Sequence, residues 1–305
     1  MKEEPTEFKS GFVNIIGRPN VGKSTLMNAL VGERMSIISH KPQTTRHRIL
    51  GILSGENHQI VFSDTPGYVR DPAYKMHQAM NRYVEGTLED ADLMLAVVDL
   101  TDSLEEDHPL IEVMQANRAP VILIFNKKDK VEPDAIPAIA DWWKARIQHT
   151  EVCIISALKE PEESKALLEL ILKYLPVGPA YFPPDQLTDR PERFFVSEII
   201  REKLFHQYSD EIPYSCEVGI ESYKETTTKT GEPLARIYAV IFVLRETQKG
   251  IILGKKGMAI KKMATAARKE IEEFIQMKVF LEVTVKVRGN WRDNDAMLQR
   301  FGYGN

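Results

Sequence analysis

Two cysteines in 305 residues, Cys153 and Cys216, are too few and too far apart for a disulfide framework. Both lie in apolar runs, which predicts buried free thiols in a reducing compartment. No apolar run approaches the ~20 residues that a bilayer-spanning helix needs. The opening MKEEPTEFKSG carries acids early and no apolar core, so no secretory leader is expected there. The seven histidines are scattered, with no HxxxH and no CxxC, which argues against a zinc site. There is no GxSxG elbow and no Cys/His pairing that would serve a nucleophilic enzyme. Internal repeats and low-complexity tracts are missing as well.

What is present is a chain able to fold. Hydrophobic residues make up 43% and charged residues 28%, which excludes disorder over the whole length. The length suggests two domains. The net charge of -4 is unevenly spread. Lys249 to Arg288 holds ten basic residues against four acidic ones, so the rest of the chain sums to -10. A mildly acidic body with a basic segment near its C-terminus points to one module that binds an anion.

Strands and helices alternate in the first part. Short branched apolar runs at Phe12–Ile16, Leu93–Asp99, Val121–Asn126 and Val152–Ser156 read as buried strands. Arg46–Leu53 and His58–Ser63 flank the turn SGEN and read as a hairpin. Helical stretches are expected at Lys23–Val31, Met76–Asp90, Glu105–Asn117, Ala135–His149 and Glu162–Leu175. The fold class expected is α/β, a mostly parallel sheet with one antiparallel edge strand. Prolines 176, 179, 183, 184 and 191 crowd the next stretch, which reads as a linker. Beyond it the pattern becomes α, β, β, α, α, β, an α+β module. The expected division is 1–178, a linker 179–191, and 192–305.

Gly17-Arg18-Pro19-Asn20-Val21-Gly22-Lys23-Ser24, followed by Thr25, matches GxxxxGKS between a strand and a helix. The glycines let backbone N–H groups turn inward on phosphates, and the helix N-terminus adds its positive end. Lys23 would reach the β- and γ-phosphates and Ser24 would ligate Mg²⁺. Asp64-Thr65-Pro66-Gly67 ends the second hairpin strand, where the aspartate can hold Mg²⁺ through water and the Gly67 N–H can meet the γ-phosphate. Asn126-Lys127-Lys128-Asp129 ends another strand. A carboxylate at Asp129 can accept from N1–H and the 2-amino group of guanine, and adenine offers neither donor. Asn126 would brace the loops and the Lys127 stem would cover the base. Ser156-Ala157-Leu158 can offer a backbone N–H to the guanine 6-oxygen. All four motifs sit at the carboxyl ends of strands, where open α/β sheets bind ligands.

This set resembles the translation-factor class of P-loop GTPases. In that class a switch threonine closes on Mg²⁺ when the γ-phosphate is present. Gln43-Thr44-Thr45-Arg46 supplies it here, with Thr45 assigned and Thr44 as the alternative. The position after DTPG, where Ras-like enzymes carry a water-orienting glutamine, is Tyr68. A phenol is a poor base at neutral pH, so slow intrinsic turnover is expected.

Gly254-Lys255-Lys256-Gly257 is a GxxG, and about one such pair is expected by chance in a chain with this glycine content. Its setting gives it weight. It joins an apolar stretch to a long helix, after two strands and before a third, the order of a type II KH domain. There the GxxG backbone clamps about four nucleotides. Lys255 and Lys256 charge the tip, with Lys249, Lys261 and Lys262 around it. Ile251, Ile252, Ile260 and Met263 are either groove wall or core, and Ile252 is taken as a groove candidate.

A P-loop GTPase with QTTR, DTPG, NKKD and SAL, joined to a C-terminal KH module, resembles the Era family of bacterial GTPases over nearly the whole chain. The runs Val285–Trp291 and Leu298–Tyr303 share the resemblance. It implies a GTP-hydrolysing switch that binds small-subunit ribosomal RNA near its 3′ end and acts on the pre-30S particle. It further implies Mg²⁺ with GTP or GDP, links to growth and division, a cytoplasmic monomer, and peripheral contact with the inner face of the membrane. It also implies that Asn20 helps hold an activating K⁺, which makes Lys23, Thr45 and Asn20 the expected catalytic set. Pro42 departs from the family pattern and is expected to stiffen the first switch. Two other readings stand beside this one. A metabolic P-loop kinase is disfavoured by Asp129, and an RNA scaffold with a vestigial nucleotide site by intact Lys23, Ser24, Asp64 and Asp129.

Overall fold

The computed structural model describes residues 7–37, 41, 43–115, 117–209 and 211–303. Pro42 lies outside the described residues, and so does the stiffening expected of it. The chain forms two compact units, one of residues up to Pro72 together with His77–Asp189, the other of Ala73–Met76 together with the residues from Arg190 on.

The first unit is built on a six-stranded sheet in the order β2-β3-β1-β4-β5-β6. The strands are β1 (Lys9–Ile16), β2 (Ile49–Ser54), β3 (His58–Asp64), β4 (Leu93–Asp99), β5 (Val121–Asn126) and β6 (Glu151–Ile154). Only the edge strand β2 runs antiparallel, paired with β3 across the Gly55 turn. Strands β4 and β5 are buried at every residue, because helices cover both faces of a parallel sheet. The helices are α1 (Lys23–Val31), α2 (Lys75–Glu89), α3 (Pro109–Gln115), α4 (Ile136–Lys144) and α5 (Glu163–Tyr174). Helix α3 starts at Pro109 rather than at Glu105. Proline suits the first helical position, and the acids before it are spent elsewhere. Glu105 faces Arg18, Glu106 pairs with Arg146, and Asp107 pairs with Arg70.

The proline-rich stretch is strapped to this unit through its middle. Gln59 accepts the N–H groups of Tyr181 and Phe182 at 2.7 and 2.9 Å and donates to the Phe182 carbonyl. The Ser10 hydroxyl donates to the Pro179 carbonyl, and the Ile52 N–H, on β2, donates to the Leu187 carbonyl. The last of these occupies part of the otherwise unpaired β2 edge.

The second unit is a three-stranded sheet of β7 (Glu217–Thr227), β8 (Pro233–Val243) and β9 (Lys278–Val287). β7 and β8 are antiparallel, and β8 and β9 are parallel. The odd residues of β8 from Ala235 to Val243 enter a core with Val196 and Ile200 of α6 (Glu192–Gln207). Met263, Ala267 and Ile271 of α9 (Met258–Ile275) complete that layer at the i, i+4 spacing of a buried helix face. Two short helices, α7 (Ile212–Ser215) and α10 (Asp295–Arg300), were not anticipated. The apolar stretch at 250–253 is the second half of a full helix, α8 (Glu246–Leu253). No helix among the described residues is long and apolar enough to cross a membrane.

Candidate nucleotide site and nucleic-acid loop

The loop between β1 and α1 turns back on itself through Gly22, whose φ of 103° is left-handed. A Cβ there would stand 2.2 Å from Asn126 Nδ2, so only glycine fits. Lys23 is buried, and its ammonium donates to the carbonyls of Gly17 and Arg18 at 2.9 Å each. Burial pulls its pKa down to about 8, against the raising influence of Asp64. A desolvated ammonium held by carbonyls alone gains from any anion brought to it.

Beside it, three oxygens from three motifs converge. Ser24 Oγ donates to Asp64 Oδ2 at 2.7 Å and lies 2.9 Å from Thr45 Oγ1. Thr45 Oγ1 in turn reaches Asp64 Oδ2 at 3.3 Å. The Thr44 hydroxyl instead donates to the Lys41 carbonyl at 2.6 Å. The structure therefore gathers Thr45, not Thr44, with Ser24 and Asp64. Asp64 is fully buried, and its Oδ1 has no hydrogen-bond partner among the described residues. Burial raises its pKa, while Lys23 and Ser24 pull it down. An orphaned buried carboxylate oxygen beside two hydroxyls is a hard, all-oxygen donor set that fits Mg²⁺.

At the other end of the cleft, Asn126 ties three loops. Its Nδ2 donates to the Val21 carbonyl at 2.7 Å, and its Oδ1 accepts the Ala157 N–H at 3.1 Å. Lys127, left-handed at φ 64°, lays its ammonium on the Asn20 carbonyl at 2.7 Å and pairs with Asp99. Asp129 Oδ1 accepts the Ser156 hydroxyl at 2.5 Å. Pro19, Asn20, Lys23, Ser24, Thr25, Thr45, Gly67, Asn126, Lys127, Asp129 and Ser156 all line one cleft.

Other candidates turn elsewhere. Arg18 faces Glu105, and Val21 is buried. Thr65 is buried with its hydroxyl on the Ile15 carbonyl at 3.0 Å. Pro66 and Ala157 are buried, and Tyr68 packs beside Leu110 and Val113 rather than on the cleft. Lys128 reaches away to Glu160 and Glu163. Of the Ser156-Ala157-Leu158 run, the Ser156 N–H goes to Glu163 and the Ala157 N–H to Asn126, while Leu158 lines the cleft. Gln43 of the QTTR run also lines the cleft, and Ile37 and Lys130 line it without belonging to any motif recognised in the sequence. Asp99, at the carboxyl end of β4, was also missed. The strand-end rule alone could have flagged it.

In the second unit, Gly254 to Gly257 forms a tight turn between α8 and α9. Gly254 has φ 67° and ψ -179°, a region that essentially only glycine enters. A Cβ there would sit 2.5 Å from that of Ala259. Lys255, Lys256 and Lys261 are exposed around the turn. Ile252 does not belong to this surface. It is completely buried in the core, and a side chain without accessible surface cannot touch RNA. Its neighbour Ile251, 50% exposed, faces outward instead.

A family model described as a 50S ribosome-binding GTPase matches residues 12–127, and a KH domain model matches 211–292. The GTPase Era of Geobacter metallireducens is 44% identical over 304 residues, 99% of this chain and 100% of that one. A tyrosine-to-alanine variant of Aquifex aeolicus Era bound to GDP·AlF4⁻ superposes with a TM-score of 0.89 at 37% identity, covering 98% and 100% of the two chains. Era in complex with MgGDPNP and nucleotides 1506–1542 of 16S ribosomal RNA matches with the same TM-score and coverage at 38% identity.

Proposed function

The chain belongs to the Era family of GTPases, and on that premise we propose that it is a GTP-regulated RNA-binding factor acting on the small ribosomal subunit. GTP and water would give GDP and phosphate, and the nucleotide state would time the hold of the second unit on RNA. The observation that carries this reading is the single cleft lined by Lys23, Ser24 and Thr45 at one end, with Asp64 bonded behind Ser24, and by Asp129 with Ser156 at the other.

In this reading the phosphate loop binds the β- and γ-phosphates through its backbone N–H groups and Lys23. Ser24, Thr45 and Asp64 would hold Mg²⁺, which when bound draws negative charge off the phosphate oxygens. Asp129 reads the base, fixed by the Ser156 hydroxyl, and the Lys127 stem covers it. Tyr68 stands at the position of the Ras-like glutamine and packs beside Leu110 and Val113, which supports slow intrinsic turnover. K⁺ held near Asn20 is the proposed supplement.

The GxxG turn with Lys255, Lys256 and Lys261 is the proposed RNA clamp, with residues 1–178 as the GTP-binding domain, 179–191 as linker and 192–305 as the RNA module. The 3′ end of small-subunit ribosomal RNA, within the pre-30S particle, is the proposed target. A cytoplasmic monomer with peripheral membrane contact, linked to growth and division, completes the family expectation. Crosslinking the chain to cellular RNA, followed by sequencing, tests the target. Reads concentrated at the 3′ end of small-subunit RNA are expected, and reads spread without preference would reject it. GTP against ATP binding, with phosphate release to water, separates this reading from a metabolic kinase and from a scaffold with a vestigial site.

A further inference from the structure

We propose that Glu163, in the first turn of α5, is a positioning residue for guanine recognition that locks the two base-reading loops together without touching the nucleotide. This rests on the assignment of Asp129 and Ser156 to the guanine edge.

One carboxylate is shared between the loops. Glu163 Oε2 accepts the Ser156 N–H at 3.0 Å, and Oε1 pairs with the Lys128 ammonium. Glu160 Oε2 lies 3.0 Å from the same ammonium, and the Glu160 N–H donates to the Ser156 carbonyl at 2.8 Å. Ser156 is thus held at both backbone groups, by Glu163 at the start of α5 and by Glu160 in the turn before it. Its hydroxyl is then aimed at Asp129 Oδ1. Lys128, the member of NKKD that turns away from the cleft, is the handle by which the same carboxylate grips the Asp129 loop.

The chemistry favours the charged pair. Partial burial alone would push the Glu163 carboxyl up, but the Lys128 ammonium and the Ser156 N–H draw it below the usual carboxylate value. The Glu163 and Glu160 carboxylates raise the Lys128 pKa. Ser156 is buried, so removing the acceptor for its N–H leaves a donor that must move to find water. That movement releases the Ser156 hydroxyl from Asp129. A carboxylate free to turn loses part of its selectivity for the guanine 2-amino group. Glu163 makes no hydrogen bond to the phosphate loop among the described residues, so the phosphate end stays as it was.

The test is GDP and IDP dissociation from the full chain, read with fluorescent nucleotides, alongside turnover at saturating GTP. Inosine lacks the 2-amino group, so the GDP/IDP affinity ratio measures how well Asp129 is held. Glu163→Ala is expected to raise the GDP off-rate about tenfold, the scale of one charge-assisted hydrogen bond, and to lower the GDP/IDP ratio, with turnover unchanged. Glu163→Gln keeps an acceptor for the Ser156 N–H and should recover most of the ratio. Lys128→Ala should raise the off-rate less than Glu163→Ala does. A merely structural role at the start of α5 would lower the melting temperature and leave the ratio alone. An unchanged ratio and off-rate in Glu163→Ala, or no recovery in Glu163→Gln, overturns the proposal. Wild-type chain that binds GDP no better than IDP would overturn the guanine assignment itself, and this proposal with it.

Discussion

Asp129 and Ser156, 27 residues apart in sequence, meet through a hydrogen bond of 2.5 Å. The contact follows from topology. β5 and β6 run parallel in register, Phe125 beside Ile154, so the loops leaving both strands emerge on the same edge of the sheet. A carboxylate after one strand and a hydroxyl after the next then lie side by side. The hydroxyl fixes one carboxylate oxygen and orients the other for a ligand. The phosphate end works by the same logic, with Ser24 after β1 and Asp64 at the end of β3. Site residues more than a hundred positions apart become neighbours because every strand but β2 points the same way.

The Asp129 assignment carries a sharp expectation. Asp129→Asn should bind GTP far more weakly and prefer xanthine nucleotides, whose 2-position is a carbonyl. A site built for a polar partner can reject the wrong one by ~10⁴-fold. Competition between GTP and XTP for the variant measures this, and a continued preference for GTP would remove Asp129 from the base-reading role.

The two units should be separable by charge. Lys255 and Lys256 are exposed at the GxxG turn, so reversing them leaves the fold intact. The double change to Asp should abolish RNA binding and leave GTP binding as in the parent chain. Each lost phosphate contact should reduce the slope of log affinity against log salt by ~0.7 for a single strand. RNA titrations at several salt concentrations check it, and unaltered affinity at physiological salt would sink the clamp.

Strands β4 and β5 were legible in the sequence to their last residue, because burial on both faces leaves an unbroken apolar run. The start of α3 was not. Glu105, Glu106 and Asp107 are acceptable in a helix, and only their distant partners Arg18, Arg146 and Arg70 explain why they stay outside it. Ile251 and Ile252 show a second limit. Read only over 250–253, α8 is too short for a periodicity that separates its exposed face from its buried one, and the wrong isoleucine was assigned to the surface. Lys23, Ser24, Asp64, Asn126 and Asp129 were readable because linear motifs fix their spacing. Asp99 and Glu163 lie outside those motifs and each acts through a lysine of another segment, so only the strand-end rule points to Asp99 and nothing local points to Glu163.

Stability of the first unit should fall as pH drops below about 6.5, in part through His108. Its ring is buried, with Nδ1 accepting the Leu110 N–H at 3.2 Å and an edge-on contact to Trp143 at 4.6 Å between centroids. Burial, and then the charge of Arg18, push its pKa from 6.5 down to about 4. Between those values the unfolded chain binds the proton and the folded one does not. The stabilisation is complete above pH 6.5 and is lost progressively toward pH 4. One proton accounts for at most about 1.4 kcal/mol per pH unit. Thermal melts of wild type and His108→Gln between pH 6.5 and 5, above the main carboxylate range, isolate it. The variant should show a shallower fall, and equal slopes would assign the pH response to other groups.

The last prediction concerns the missing charge stabilisation in hydrolysis. Tyr68 packs beside Leu110 and Val113, so its hydroxyl does not take the place of a water-orienting glutamine. A cation at the phosphates can neutralise developing charge instead, as an arginine finger does. Asn20 lines the cleft beside Lys23, and this supports its proposed part in holding K⁺. It also has a conformational role, since its φ of 67° lies in the left-handed region that asparagine tolerates better than most residues. Its carbonyl receives the Lys127 ammonium at 2.7 Å, so a distorted loop would disturb the base end too. Asn20→Ala therefore confounds two effects, because alanine resists that φ. Asn20→Gly separates them, keeping the backbone conformation and removing only the amide. GTP hydrolysis should be measured in KCl and NaCl at equal ionic strength, with GTP affinity measured alongside. Wild type should turn over faster in K⁺. Asn20→Gly should bind GTP as before and hydrolyse it at one rate in both salts. If Asn20→Gly keeps the K⁺ advantage, the amide does not hold the ion and Asn20 only shapes the loop. If wild type shows no advantage, the charge must come from RNA or a partner.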